Sequence, residues 1–589
     1  MSKSIKKQSN LRRAFQYVQD SRRLFVIGLL AMIVLTAGNL AGPLILRSII
    51  DDSIPKGDLR GLMLRAGGYF AILLCMGLLS YTGLITIARM GLEVVTRIKY
   101  DLFSHFLTLP VSYFDAHPVG ELISRTENDC ERVRELFSQI AVTIIVNSLF
   151  FLGMLTVCFF LEPKITLYLA LITPVVLVLV ILVFDKLRVF YDKHRQYQAN
   201  ILARITEFIQ GWDILRLFHR EAWAIAQVDE SSRQRRDVDI KTSMLQYGAM
   251  GALNFSLGPL FMVLIIIFFV PQVVQGALTM GTLLVFFEYS RRIFEPIMAI
   301  AENIRGIQQA RVSLNRIFTI LDMEPETAGS LQETEASINF EHEIEFRHVW
   351  FAYKNEDWVL KDVSFTIQRG ETLAVVGASG SGKSTTIGLL CGFYKPQRGH
   401  ILIDGRDLAT LDLSRWRRNI GLVLQDVYLF PGSVLENIRL YDEAIGEEQI
   451  WEALAAVHAA DFVRALPAGL TSELRERGGN ISAGEKQLLS FARALAFNPQ
   501  LVILDEATAS VDVQTEQKIH ESMQVLFAGR TAVVVAHRLS SIRRADCILF
   551  FQDGQIVQRG RHEELLENFP PYAELVRLQF PNLDDGGLR

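Results

Sequence analysis

Gly377-Ala378-Ser379-Gly380-Ser381-Gly382-Lys383-Ser384 stands between two apolar runs. The run before it, 372–376, reads as a buried strand, and 385–390 after it reads as the opening turns of a helix. A strand, a glycine-rich turn and a helix in that order make a P-loop. The glycines let backbone N–H groups curl around phosphate oxygens, and the helix N-terminus adds partial positive charge. Lys383 can then reach the β- and γ-phosphates, and the Ser384 hydroxyl can ligate Mg²⁺.

A chain of 589 residues is too long for one core, so several domains are expected. Half of its residues are hydrophobic, 21% are charged, and the net charge is −4. That balance points to apolar residues gathered into membrane spans and argues against a nucleic-acid binder, which shows a basic excess. Cys75, Cys130, Cys158, Cys391 and Cys547 have neither C-x-x-C nor metal-ligand spacing, so no disulfide or zinc framework is expected. The basic N-terminal tail leads into an apolar run too long for a signal peptide, which reads as a retained span.

Residues 24–46, 66–88, 136–161 and 165–184 are free of charge, each near the roughly 20 residues that cross a bilayer as a helix. The charge-free stretch 242–287 is about twice as long as one span needs. Pro271 and Gly276 divide it, giving a fifth span at 247–270 and a sixth at 279–301. The long loops 89–135 and 185–241 are rich in Lys and Arg, which places them and both termini in the cytoplasm. They alternate charge with apolar residues at helical spacing and so extend the membrane helices. Compact stretches within them, 113–121 and 208–221, suit short helices that touch another domain.

Glu288, Arg291, Arg292 and Glu295 lie in or near the sixth span at spacing i, i+3, i+4, i+7, on one helix face. Charges at membrane depth are costly and face a bundle interior or a wet cavity. They are candidates for the wall of a substrate path. Mutual ion pairing that packs the bundle is the alternative, and both can hold.

The polar stretch 322–339 reads as a linker, and beyond it the composition becomes that of a soluble α/β domain. Residues 344–346 and 363–367 look like strands, with Phe351-Ala352-Tyr353 between them, an aromatic placed to stack on an adenine ring. The apolar strand 501–504 ends in Asp505-Glu506. An acid there holds Mg²⁺ through water, and a second acid directly after it can deprotonate the attacking water. Another buried strand, 531–536, ends in His537, which can stabilise charge developing on a γ-phosphate.

In this order and spacing the residues resemble the ATP-binding-cassette family. Tyr353 resembles its A-loop, Gly377–Ser384 its Walker A and Gln425 its Q-loop. Ser482-Ala483-Gly484-Glu485 resembles its signature, 501–506 its Walker B, Ser510-Val511-Asp512 its D-loop, and His537 its H-loop. Glu476 resembles the X-loop of exporters. The resemblance covers nearly the whole chain and is closest to bacterial half-transporters of the Mdl multidrug type. It implies an α-helical six-span transmembrane domain with long cytoplasmic extensions (1–321), a linker (322–339) and an α/β P-loop nucleotide-binding domain (340–589). It also implies ATP and Mg²⁺ as ligands. Tyr353, Gly377, Ser379–Ser384, Thr385 and Asp505 would bind the nucleotide, with Ser384, Gln425 and Asp505 toward Mg²⁺ and Gln425, Glu506 and His537 in catalysis. Ser482–Glu485 and Asp512 would act in trans on a second cassette's ATP.

The family signature is Leu-Ser-Gly-Gly-Gln, so this chain departs from it at Ile481, Ala483 and Glu485. Ala483 adds a methyl where backbone approaches ATP, and Glu485 brings a carboxylate toward a phosphate, a like-charge pair. The implied assembly is a heterodimer with a second half-transporter, one ATP site being weakened, with a homodimer as the alternative. The expected activity is ATP-driven export of hydrophobic or amphipathic compounds from the cytoplasm or inner leaflet of a bacterial inner membrane. A lipid flippase and an ATP-gated channel are the competing readings.

Overall fold

The computed structural model describes residues 10–252, 258–326, 340–505, 513–535 and 542–579. It separates into two compact units: residues 1–107 with 119–323, and residues 108–118 with 324–589.

The first unit is helical. Among the described residues, Arg22–Ser53, Leu59–Phe106 and Val119–Leu161 are helical stretches long and apolar enough to cross a membrane. The expected fourth span lies within the helix Pro163–Gln210, which continues well past the apolar run. Of the expected fifth, residues 253–257 lie outside the described set, and Gly258–Val274 is helical. Small residues set the first helix pair: a Cβ on Gly28 would meet Ile87, and one on Gly83 would meet Ala31 and Met32. Such residues let helix backbones approach where lipid gives no hydrophobic drive to association. Polar staples fix the ends. Asp51 accepts from Thr279 Oγ1 at 2.6 Å and from the Gly281 N–H at 2.7 Å. Buried Asp129 accepts from Ser313 Oγ at 2.7 Å.

The expected sixth span is not one helix. Met280–Arg292 and Phe294–Leu321 are separate, with a bend at Ile293. Pro296 has no N–H to close on the Arg292 carbonyl, which accounts for the interruption.

The second unit is an α/β domain. A six-stranded sheet runs β12-β11-β3-β10-β9-β6, with β3 Thr372–Gly377, β6 Ile420–Val423, β9 Leu501–Asp505, β10 Thr531–Val535, β11 Cys547–Gln552 and β12 Gln555–Gly560. All its pairings are parallel except the edge strand β12. Parallel strands are covered on both faces, which is why they read as unbroken apolar runs. Leu373, Val375, Leu501 and Ile503 enter one core, while Ala374, Val376, Val502 and Leu504 enter the other. The first core also takes the sheet β2-β1-β4-β5, with β1 Glu343–Ala352, β2 Trp358–Gln368, β4 Arg398–Ile403 and β5 Arg406–Asp407. Here β1 and β2 are longer than expected, because the hairpin register carries on to Phe351↔Leu360 and Ala352↔Trp358. Phe351 and Ala352 therefore belong to β1, and Tyr353 alone follows it. Trp416, fully buried in this core, donates from Nε1 to the Leu390 carbonyl at 2.8 Å.

His562 is buried near the end of the chain, its Nδ1 2.7 Å from the Tyr572 hydroxyl. Burial lowers its pKa, opposed by Glu563 and reinforced by Arg543. The unfolded chain thus takes up this proton before the folded one does. Stability is full above the ordinary histidine value of about 6.5 and falls below it by up to about 1.4 kcal/mol per pH unit. His562→Gln should flatten the acid limb of thermal-unfolding midpoints taken between about pH 5 and 8. An unchanged limb would show that another group titrates there.

Candidate nucleotide site

The sheet brings the ends of several strands to one edge. β3 runs into the glycine-rich turn and β9 ends at Asp505. Between them lies β10, whose Val535 pairs with both Val375 and Asp505. In open α/β sheets ligands bind at the carboxyl ends of the strands. The helix after the turn is Lys383–Leu390. It starts two residues earlier than its apolar pattern showed, so its first N–H groups open directly onto the turn. Gly382 stands at φ +108°, and a Cβ there would come within 2.5 Å of Leu360 Cδ2, so a glycine is needed.

Lys383 is buried, and its Nζ donates to the carbonyls of Gly377 at 2.9 Å and Ala378 at 2.8 Å. Burial lowers its pKa, with Asp505 pulling the other way. Ser384 Oγ is exposed and donates to Asp505 Oδ2 at 3.5 Å across the sheet edge. Thr385 is buried, with its Oγ1 3.0 Å from the Tyr353 hydroxyl. Ser379 and Gly380 lie exposed at the tip of the turn. The Ser381 Oγ is buried with no partner of its own among the described residues. An unfilled hydroxyl, a glycine turn and a buried ammonium fit a phosphate group. A hydroxyl and a carboxylate oxygen facing each other are the hard donors that Mg²⁺ takes, so Ser384 and Asp505 fit that ion. Gln425 lies exposed just past β6, the strand beside β9. Glu506, Ser510, Val511, Asp512 and His537 lie outside the described residues.

Ser482 caps the helix Ala483–Ala496. Its Oγ accepts from the Glu485 N–H at 3.3 Å, and its N–H donates to Glu485 Oε2 at 2.7 Å. This is a capping box, for which Glu and Gln serve equally and whose carboxylate the helix dipole favours. Glu485 thus has a local reason that the sequence alone did not show. Ala483 is exposed and Gly484 buried. Glu476 is exposed in the turn Glu476–Gly478.

The charges of the sixth span divide. Glu288 pairs with Arg291 at 3.4 Å and with Arg292 at 3.6 Å. Glu295 is exposed on the helix beyond the bend.

Two groups escaped the reading of the sequence. Tyr394 packs edge-on against Tyr353, ring centroids 5.2 Å apart, and its hydroxyl donates to Asp115. Arg417 forks onto Glu326 at 2.7 and 2.8 Å. Both pairs join residues far apart in the chain, so no local spacing marks them.

Residues 25–297 match the family model of the ABC transporter transmembrane region, and residues 360–509 match that of the ABC transporter. The chain is 34% identical over 528 residues to a probable multidrug resistance ABC transporter ATP-binding/permease protein of Bacillus subtilis, covering 89% of this chain and 77% of the other. It is 31% identical over 573 residues to an ATP-dependent lipid A-core flippase of Chromobacterium violaceum, covering 97% of each. A fatty acid ABC transporter ATP-binding/permease protein of Mycobacterium bovis is 34% identical over 486 residues, 82% of this chain and 76% of the other. With a transporter membrane region joined to a nucleotide-binding cassette in one polypeptide, the chain belongs to the ATP-binding-cassette transporters, as an ATP-hydrolysing, multi-pass membrane exporter of the type IV layout.

Proposed function

We propose that the chain is one half of a heterodimeric exporter of hydrophobic or amphipathic compounds in a bacterial inner membrane. It has six spans, with both termini and the cassette in the cytoplasm. Two cassettes close on two ATP molecules, each held between one P-loop and the other chain's signature. Closure opens the membrane cavity outward, and hydrolysis resets it. Lys383 and the turn hold the phosphates. Ser384, Gln425 and Asp505 hold Mg²⁺, which neutralises phosphate charge when bound. Glu506 takes the proton from the attacking water, and His537 stabilises the charge that follows.

The signature carries the heterodimer reading. Its Ser482 and Glu485 bond to each other in a capping box on a helix of their own, while Lys383, Ser384 and Asp505 gather at the sheet edge. The full P-loop set of this chain would serve one competent site. Its acidic signature would face the partner's ATP with like charge. The test is ATP hydrolysis by this chain purified alone in lipid, with Glu506→Gln as control. Little turnover alone, restored by co-expressing a second half-transporter, is the expected result. Robust turnover alone that Glu506→Gln abolishes would make the chain a homodimer.

A lipid cargo is the second reading, supported by the relative named as a lipid A-core flippase, which the chain matches over 97% of both lengths. Dye efflux and fluorescent-lipid flipping, measured in the same vesicles, separate the two.

A further inference from the structure

The hairpin of β1 and β2 closes at the pair Ala352↔Trp358, and the loop 353–357 leaves that pair with Tyr353 as its first residue. On the other side of β1, the ladder with β4 stops at Trp350↔Arg398. Ala352, almost fully buried, therefore stands two residues beyond the last strand partner on that side. A buried N–H and C=O need partners. Gln397 supplies both. Its Oε1 accepts from the Ala352 N–H at 3.0 Å, and its Nε2 donates to the Ala352 carbonyl at 2.7 Å. Its own N–H donates to the Trp350 carbonyl at 3.0 Å. One side-chain amide, with a donor and an acceptor side by side, thus stands in for a peptide group and lengthens the ladder by one step.

We propose that Gln397 is a positioning residue that aims Tyr353 at the base of the nucleotide. This rests on the ATP-driven reading above and on Tyr353 as the aromatic that stacks on adenine. Tyr353 is about half exposed, so ring surface remains open for a base. Its hydroxyl meets Thr385 Oγ1 at 3.0 Å, in the first turn of the P-loop helix. Phe351 and Tyr394 stand nearly perpendicular to it, with centroids at 4.9 and 5.2 Å. The ring is thus held at its tip and beside its edges, while Ala352, one residue earlier, sets where the side chain leaves the backbone. Stacked rings need their planes aligned, so looseness at Ala352 is passed straight to the stack. The residue after Gln397 steadies the same joint. The Arg398 guanidinium lies over the rings of Trp350 and Trp358, at 5.8 and 5.1 Å from their centres. Those two rings meet edge to face at 5.5 Å, one from each strand of the hairpin. A ring already aimed binds its base with less ordering cost.

The test uses the full chain in lipid nanodiscs, with its second half-transporter where one is needed. ATP hydrolysis gives KM and kcat. Inorganic tripolyphosphate, which has the phosphates and no base, gives an inhibition constant. Tyr353→Ala should raise KM by about 5- to 150-fold, the loss of one stacked base. Gln397→Leu keeps most of the volume and leaves the Ala352 N–H and carbonyl without their partner. It should raise KM by about three- to tenfold, the worth of one ordinary hydrogen bond. In both variants kcat and the tripolyphosphate constant should stay within about twofold, because the base is bound alike in ground and transition states. In a Tyr353→Ala background, Gln397→Leu should add less than about twofold. Gln397→Glu keeps the acceptor for the Ala352 N–H and sets an oxygen against the Ala352 carbonyl. It should show the same selective rise in KM, and it stands in if the leucine variant does not fold. An unchanged KM in the Gln397 variants, or their full effect on top of Tyr353→Ala, overturns the positioning role alone. A tripolyphosphate constant that rises with KM overturns it too, since the whole site has then loosened. An unchanged KM in Tyr353→Ala overturns the base platform and the positioning role together. No hydrolysis by the parent protein overturns the ATP-driven reading itself.

Discussion

Lys383→Met is expected to cut ATP hydrolysis by about 10²–10³-fold, the loss that follows removal of one preorganised donor from a developing charge. The Lys383 ammonium is held in the turn by the carbonyls of Gly377 and Ala378, in surroundings where burial already lowers its pKa. A phosphate arriving in the turn gives that poorly solvated charge a better partner than two carbonyl dipoles. Methionine has a similar unbranched stem and fills the same space, so the loss is mostly that of the charge. It leaves the buried Gly377 carbonyl without this donor, at a cost of about 1–3 kcal/mol, while the Ala378 carbonyl still accepts from the Ser381 N–H at 3.2 Å. Some loss of stability will therefore accompany the loss of turnover. Phosphate release in lipid, read beside the unfolding midpoint, separates the two. Turnover within about tenfold of the wild type, with the fold intact, would mean that Lys383 does not touch the reacting phosphates.

Gly399→Ala should be among the most damaging single methyls in the cassette. Gly399 stands at φ +79° where β4 crosses an irregularity in β1. Its Cβ would lie 2.2 Å from the His348 carbonyl oxygen and 2.4 Å from that of Arg347. Both are backbone atoms and cannot swing away as a side chain would. His348 itself is at φ +51°, so both sides of this joint are already unusual. The left-handed conformation alone costs an added Cβ about 1–2 kcal/mol, and the collision brings the total to about 3 kcal/mol or more. Gly405 is the internal control. It also has φ +79°, but nothing lies within 4 Å of its Cβ, so Gly405→Ala should cost only the conformational part. Unfolding midpoints of the two variants should differ by several degrees. Equal midpoints would mean that β1 yields at this joint.

The parts of the molecule legible in the sequence were those set by local pattern. Strands β3, β9 and β10 showed as unbroken apolar runs because both faces are covered. The P-loop showed because three glycines, a lysine and a serine at fixed offsets have few other uses. Short helices did form where 113–121 and 208–221 suggested them, as Val111–Ala116, Val119–Ser124 and Trp212–Leu217. What the sequence hid was set by distant partners. The full length of β1 and β2 depends on a hairpin register, not on the few apolar residues that flagged them. Glu485 read only as a like charge toward a phosphate, and its bond to the Ser482 N–H adds a second, local role at the start of its own helix. The four charges of the sixth span were placed on one face by counting, and the count carried no term for the missing N–H of Pro296. Tyr394 carried no signal at all, since an aromatic four residues past a helix has meaning only once Asp115 stands opposite.

That last pairing bears on how the protein is built. Asp115 and Tyr394 are 279 residues apart in the chain. At about 5–20 residues per second, the ribosome makes the strip 108–118 roughly 14 to 56 seconds before the tyrosine that will hold it. The strip waits tethered between the helices Leu59–Phe106 and Val119–Ser124. The cassette, emerging last, completes its surface only by finding that strip. Contacts so distant in sequence form slowly and leave apolar surface open meanwhile. A cassette expressed from residue 340 onward would lack the strip altogether, and Tyr394 would have no Asp115 to bond. For this chain, the cassette is complete only once a strip made early and a tyrosine made late have met.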